Sequence, residues 1–296
     1  VNATEKHLVY FFTITLCLTY AVGYLVWMSG GLDSAISQLQ MYIPAFVVLI
    51  LYWVYLKKPV FRTGDLGLNL HGLKYWLIGP AFMSALSILS YAISYLLNPD
   101  MFEARDSIVS GLESKGLYFG NMFLGLTAVL LINGIVGAIL NIPMFLGEEL
   151  GWRGFLTPRL FHICKPMVAF LISGFFWGIW HAGMIMMGLN YPSVNPILGV
   201  CYMIALCIPL GIITQYFYFK SRSIIVAALT HAALNKSAMT ASFVLKDQGY
   251  DTTLYGPTGL VGIAVFSLTA AVLYFRIDWR KANPYTVSQQ CCKLNA

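Results

Sequence analysis

Eight separate runs of mostly apolar residues, each about long enough to cross a bilayer as a helix, constrain this chain more than any other feature. They cover approximately 8–28, 39–56, 75–97, 122–147, 166–189, 197–219, 223–245 and 258–275. Hydrophobic residues make up 58% of the 296, and charged residues only 10%. A soluble protein cannot cover its surface with so little charge, so a soluble enzyme is excluded. An aromatic content of 15% excludes a solvated, disordered chain. The expected fold class is all-α: a polytopic membrane protein with about eight transmembrane helices. It forms one integral membrane domain over 1–296. The first run is too long for a signal-peptide core and is not followed by a small-residue cleavage site, so it counts as a span.

The net charge of +6 reads as loop bias. Basic residues collect on the cytoplasmic side of membrane proteins, and this explains the surplus without nucleic acid as a partner. Alternating eight spans from an inside N-terminus puts fourteen Lys and Arg on the cytoplasmic side: Lys6, Lys57, Lys58, Arg62, Lys74, Arg153, Arg159, Lys165, Lys220, Arg222, Arg276, Arg280, Lys281 and Lys293. The other side keeps three: Arg105, Lys115 and Lys246. Both termini are therefore expected in the cytoplasm. The polar stretch 98–118 reads as a surface helix or a solvated loop, and 64–72 as a loop on the membrane surface.

The six cysteines show neither metal-ligand spacing nor a disulfide framework. Cys291 and Cys292 miss the prenylation position, which is Lys293. Asn2-Ala3-Thr4 fits a glycosylation acceptor but lies too close to the first span to carry weight. No internal repeat of the kind that transporters show is visible.

Ionisable groups inside the apolar runs are few, and such groups tend to mark function. Glu148, Glu149 and Arg153 close the fourth run, His181 lies in the fifth, and His231, Asn235 and Lys236 lie in the seventh. Glu149 and Arg153 are four residues apart and can pair on one helix face, which leaves Glu148 to point elsewhere. That division predicts one neutralised structural carboxylate and one working carboxylate. His231 and Asn235 also share a face. Together they can donate two hydrogen bonds to one oxygen, as an oxyanion hole does. The same pair serves equally well as interhelical hydrogen bonding. Trp177, one turn before His181, can fix the imidazole ring, and Gly178 allows close helix approach.

Taken together, Glu148-Glu149-x-x-x-Arg153, Trp177-x-x-x-His181 and His231-x-x-x-Asn235 resemble, in order, the motifs of the type II CAAX prenyl endopeptidase family of membrane glutamate proteases. The likeness covers a core of about 122–245. It departs at Trp177, where the family usually carries Phe. The resemblance implies an eight-helix fold with a cavity open to the cytoplasm and a membrane-anchored or lipidated peptide as substrate, with a prenylated CAAX-type C-terminus as the type case. It implies that Glu148 and His181 activate a water, that His231 and Asn235 stabilise the oxyanion, and that Glu149, Arg153 and Trp177 support the site. It implies no cofactor. Two histidines and a glutamate are also a set that can hold zinc with a water, so a metal site is the rival reading of the same residues. A non-proteolytic scaffold or bacteriocin-immunity protein of the same family is the rival in function. The count of loops raises one difficulty of depth. Glu148 ends its run, whereas His181 lies well past Lys165, so the fifth helix is expected to protrude from the membrane.

Overall fold

The structure, a computed structural model, describes residues 3–60, 64–240, 245–246 and 251–283. Asn2, Arg62, Cys291, Cys292 and Lys293 lie outside the described residues. Among the described residues every regular element is a helix, and the extended pairing is limited to one bridge between Phe102 and Leu245. Five segments are long and apolar enough to cross a membrane: Thr4–Met28, Ser37–Leu56, Leu73–Leu97, Met122–Leu140 and Pro196–Ser221. Pro166–Trp180 and Leu260–Tyr274 are shorter and apolar. Their outward faces carry large apolar side chains such as Trp53, Leu96, Ile197 and Phe275, as lipid contact requires. The chain is an integral membrane protein.

All eight apolar runs are helical over most of their described length. The first is α1 (Ala3–Met28). The second starts as a 3₁₀ turn at Ser37–Tyr42, continues as α2 (Ile43–Ile50), and ends in a π-helical turn, Leu51–Leu56. The third is α3 (Leu73–Leu97), followed by the surface helix α4 (Arg105–Ser114) that the polar stretch predicts.

The fourth run differs from expectation. Helix α5 (Met122–Leu140) stops at Asn141, and α6 (Ile142–Glu149) starts anew with Pro143 in its first turn. Proline has no N–H to continue the ladder, so the helix breaks there. The segment then runs through a π-helical stretch, Leu150–Leu156, into α7 (Thr157–Ile163). It does not end at Gly147.

The fifth run is α8 (Pro166–Trp180) and α9 (Ala182–Met186), parted at His181. The last three are α10 (Pro196–Ser221), α11 (Ile224–Thr240) and α12 (Leu260–Tyr274).

Helix α11 is the centre of the bundle. From Ile224 to Leu234 it is almost wholly buried. Its alanines admit close neighbours, and it packs against α3, α5, α6 and α10. Protein rather than lipid surrounds it, so its polar positions are tolerated. Helix α8 meets α10 through Gly174 and Gly178, where a Cβ would lie 2.7 and 2.6 Å from the Cα atoms of Ile208 and Ile204. That clearance is the close approach the glycine at 178 predicts.

The bundle has two ends. At one, the 64–72 loop tucks inward instead of lying on the surface. Asp65 and Leu66 are buried, and Gly67 O accepts from Ile224 N at 2.9 Å. Asn283 Nδ2 donates to Pro158 O at 2.8 Å there. This end carries the basic residues. At the other end Tyr191 donates to Thr258 O at 2.8 Å, and Lys246 N reaches Met101 O at 3.1 Å.

Candidate active site

Helix α11 presents His231 and Asn235 from one face, as their spacing predicts. His231 is almost fully buried, and its ring meets Phe145 and Trp177 edge-on, with centroids 4.8 and 5.1 Å apart. Its Nδ1 lies 2.8 Å from Glu149 Oε1. A carboxylate oxygen accepts, so Nδ1 carries the proton and Nε2 is left for the site.

Glu149 is fully buried. Its other oxygen, Oε2, stands 3.3 Å from Arg153 Nε, the pairing four residues on that the sequence predicts. Arg153 Nε also donates to Thr214 Oγ1 on α10 at 2.9 Å, and the guanidinium lies 3.8 Å above the Trp177 ring. A buried cation held by a carboxylate, a hydroxyl and an aromatic face offsets much of its desolvation cost. Glu149 therefore does two things: it neutralises Arg153 and it orients His231.

Glu148, the neighbouring residue, points elsewhere, as the division of labour requires. It is buried, and its Oε2 accepts from the indole Nε1 of Trp177 at 2.9 Å. Trp177 sits between the two acids. It donates to Glu148 in its ring plane and supports Arg153 on its face. A phenylalanine at this position keeps the stacking and loses the hydrogen bond. Trp177→Phe should therefore lower turnover by about tenfold, the worth of one hydrogen bond to a charged group, without abolishing it. Steady-state peptidase assays at unchanged melting temperature would test this; an effect of a thousandfold, or none, would remove Trp177 from this role.

His181 occupies the break between α8 and α9, where the helix ladder is open. Its Nδ1 lies 2.8 Å from the Trp177 carbonyl. A carbonyl only accepts, so Nδ1 holds the proton and the neutral ring offers the Nε2 lone pair.

Glu148, His181, His231 and Asn235 all line one cavity of about 550 Å³. Its remaining wall is largely aliphatic, with Met184, Met203, Leu206, Leu210 and Leu234. A carboxylate and a lone-pair imidazole beside a second imidazole and an amide are the parts of a general-base hydrolase with an oxyanion site. Among the described residues no group of three His, Cys, Asp or Glu is disposed to hold a metal ion.

Residues 121–237 match the family model of Rce1-like type II CAAX prenyl endopeptidases. The motif resemblance to that family therefore holds, over nearly the interval in which the motifs fall. A curated relative, CAAX prenyl protease 2 of Methanococcus maripaludis, is 31% identical over 93 residues. The aligned stretch covers 30% of this chain and 34% of the relative, about a third of its length. The family is one of prenyl endopeptidases, which fits a protease role for the membrane core.

Two expectations about placement need correction. The fourth run does not end beside Glu148. Fifteen residues of π-helical and α-helical chain follow Glu148 to Ile163, and fifteen separate Pro166 from His181. Glu148 and His181 line the same cavity, so they meet inside the bundle. The depth difficulty came from ending the fourth span too early. Arg153 likewise moves from a cytoplasmic loop into the core.

Access follows from the same helix paths. The cavity reaches Leu32, Ser37, Gln38, Asn190, Thr252, Pro257 and Thr258, all in connections at the end opposite the basic loops. Toward the basic end, Trp152, Phe155, Leu156, Arg159 and Leu160 are buried and close the route. Arg159 Nη2 there donates to Tyr52 Oη at 2.9 Å, and Tyr52 donates to Asp65 at 3.3 Å. The connections that line the cavity and the basic loops therefore lie at opposite ends of the bundle.

Sequence reasoning missed Thr214 and Gln40. Gln40 is buried, lines the cavity, and donates from Nε2 to Trp180 O at 3.0 Å. An amide at the head of an apolar run was the available signal. Lys236, given no catalytic task, lays its stem against Gly137, where a Cβ would come within 3.0 Å of its Cγ.

Proposed function

We propose that this chain is an intramembrane endopeptidase that hydrolyses a membrane-anchored or lipidated peptide with a glutamate-activated water. One observation carries the reading: Glu148, His181, His231 and Asn235, from three separate segments, line one cavity. Glu148, with His181, takes the proton of a water as its oxygen attacks the peptide carbonyl. The oxyanion that forms receives hydrogen bonds from Asn235 Nδ2 and His231 Nε2. Donation from Nε2 requires a doubly protonated ring, whose Nδ1 donates to Glu149 Oε1 at 2.8 Å. The C–N bond then breaks, and the proton held by Glu148 passes to the leaving amine. Arg153 and Trp177 hold the two acids in their separate orientations.

The mechanism as proposed uses no metal. Both imidazoles spend Nδ1 on oxygen acceptors, Glu149 and the Trp177 carbonyl, which leaves each Nε2 for a water or a metal ion alike. The relative's name points to prenylated CAAX C-termini as a first probe. In detergent, the purified protein should cleave a farnesylated CAAX-type peptide faster than an unprenylated copy, because the wall beside the site is aliphatic. Chelator should not change the rate. Failure to cleave either peptide by folded protein would leave a non-catalytic membrane role, and loss of activity with chelator, restored by zinc, would favour the metal reading.

A further inference from the structure

Side chains hold three carbonyls in the last turn of α8. A helix leaves the carbonyls of its last turn without an intrahelical donor, and α8 ends at Trp180, immediately before His181. His181 Nδ1 takes Trp177 O at 2.8 Å. Tyr20 Oη, on α1, donates to Ile179 O at 3.0 Å, and Gln40 Nε2 donates to Trp180 O at 3.0 Å. Gln40 is 3% exposed and lines the same cavity as His181. The break at His181 is therefore capped from outside, by residues of the first two spans. Neither span belongs to the motif-bearing core.

The same short stretch reaches the segment of Glu148. The 3₁₀ turn Ser37–Tyr42 runs so close to α6 that a Cβ on Gly147 would lie 2.6 Å from Met41 O and 3.0 Å from Tyr42 Cα. A Cβ on Gly151 would meet Pro44. Gly147 and Gly151 stand on either side of Glu148 and Glu149. Residues 40–44 thus touch both the segment that carries Glu148 and the turn that carries His181. Trp177 links the two through a side chain, and residues 40–44 link their backbones. We propose that Gln40 is a positioning residue: with Tyr20 it fixes the turn at His181 relative to Glu148, so that the imidazole Nε2 and the carboxylate address one water. This rests on the peptidase reading, since it assigns a role in that reaction. A displacement of about 1 Å in such a pair lowers the rate on the order of a hundredfold, and a capped turn resists it.

The test uses the full chain in detergent and two variants. Gln40→Met keeps the side-chain length and loses the donor. Tyr20→Phe removes one hydroxyl at a partly exposed position. Diethyl pyrocarbonate modifies neutral imidazoles, and peptide mapping follows its rate at His181 with the exposed His71 as internal reference. Gln40→Met should raise the His181 rate relative to His71 by about threefold or more and lower kcat about tenfold, with KM constant to within about twofold. Tyr20→Phe should move both quantities the same way by less. Unchanged His181 modification in the folded variants overturns the proposal. So does an unchanged kcat, or a loss carried by KM, which would make Gln40 a substrate contact. If Gln40→Met does not fold, Tyr20→Phe decides by the same criteria. A raised His181 rate in a protein whose parent cleaves no peptide leaves the brace standing and removes only the peptidase reading.

Discussion

Glu148→Gln should reduce peptide hydrolysis by at least about 10²–10⁴-fold, the usual share of a general base, while leaving the protein folded. The substitution preserves shape. The new amide oxygen still accepts from Trp177 Nε1, which now holds Glu148 Oε2 at 2.9 Å, so the local packing has no reason to change. What disappears is a group able to take a proton from water. Exchanging a buried carboxylate for a neutral amide also removes a desolvated charge, so the thermal midpoint in detergent should stay the same or rise slightly. The contrast with Glu149→Gln is informative. That change weakens the hold on both Arg153 and His231, whose contacts run to the two oxygens of Glu149, so stability and turnover should fall together. Full activity in Glu148→Gln would end the glutamate mechanism. Equal stability losses in the two variants would mean that the acids do not divide their tasks.

Arg153→Met should destabilise the fold by about 3–5 kcal/mol, the cost of leaving one member of a buried ion pair without the other. Arg153 is 1% exposed and meets Glu149, Thr214 and the Trp177 ring at once. Methionine fills much of the volume, so the loss isolates the charge. Lysine is not a conservative replacement here. It lacks the planar guanidinium that stacks on Trp177 while its Nε reaches Thr214. The double variant Arg153→Met, Glu149→Gln removes both charges and should recover a large part of the stability, while activity stays low because His231 loses its carboxylate partner. Unfolding in detergent followed by tryptophan fluorescence gives both values. If the double variant is as unstable as the sum of the two single ones, the pair is not coupled.

The order of apolar runs and the motif spacings were readable because each is a local property. A span is recognised from about twenty consecutive residues, and a helix face from residues four apart. These rules gave the helical segments, the pairing of Glu149 with Arg153, and the shared face of His231 and Asn235. The exit of the fourth run was misread because local apolarity falls at Glu148. Chain buried inside a protein can remain helical through Glu148, Glu149 and Arg153 when their partners come from α10 and α11. Trp177 was readable as an aromatic that packs, but its donation to Glu148 depends on a residue 29 positions away.

The sequence by itself determined that this protein lives in a bilayer, where its helices lie, and which few polar residues must be satisfied inside them. Those follow from the cost of exposing polar backbone and charge to hydrocarbon, a cost each segment meets alone. Only the tertiary structure decided that Glu149 orients His231 and that Glu148 and His181 line one cavity. Each of these depends on how tilted and broken helices meet, and side chains far apart in the chain settle that by packing against one another.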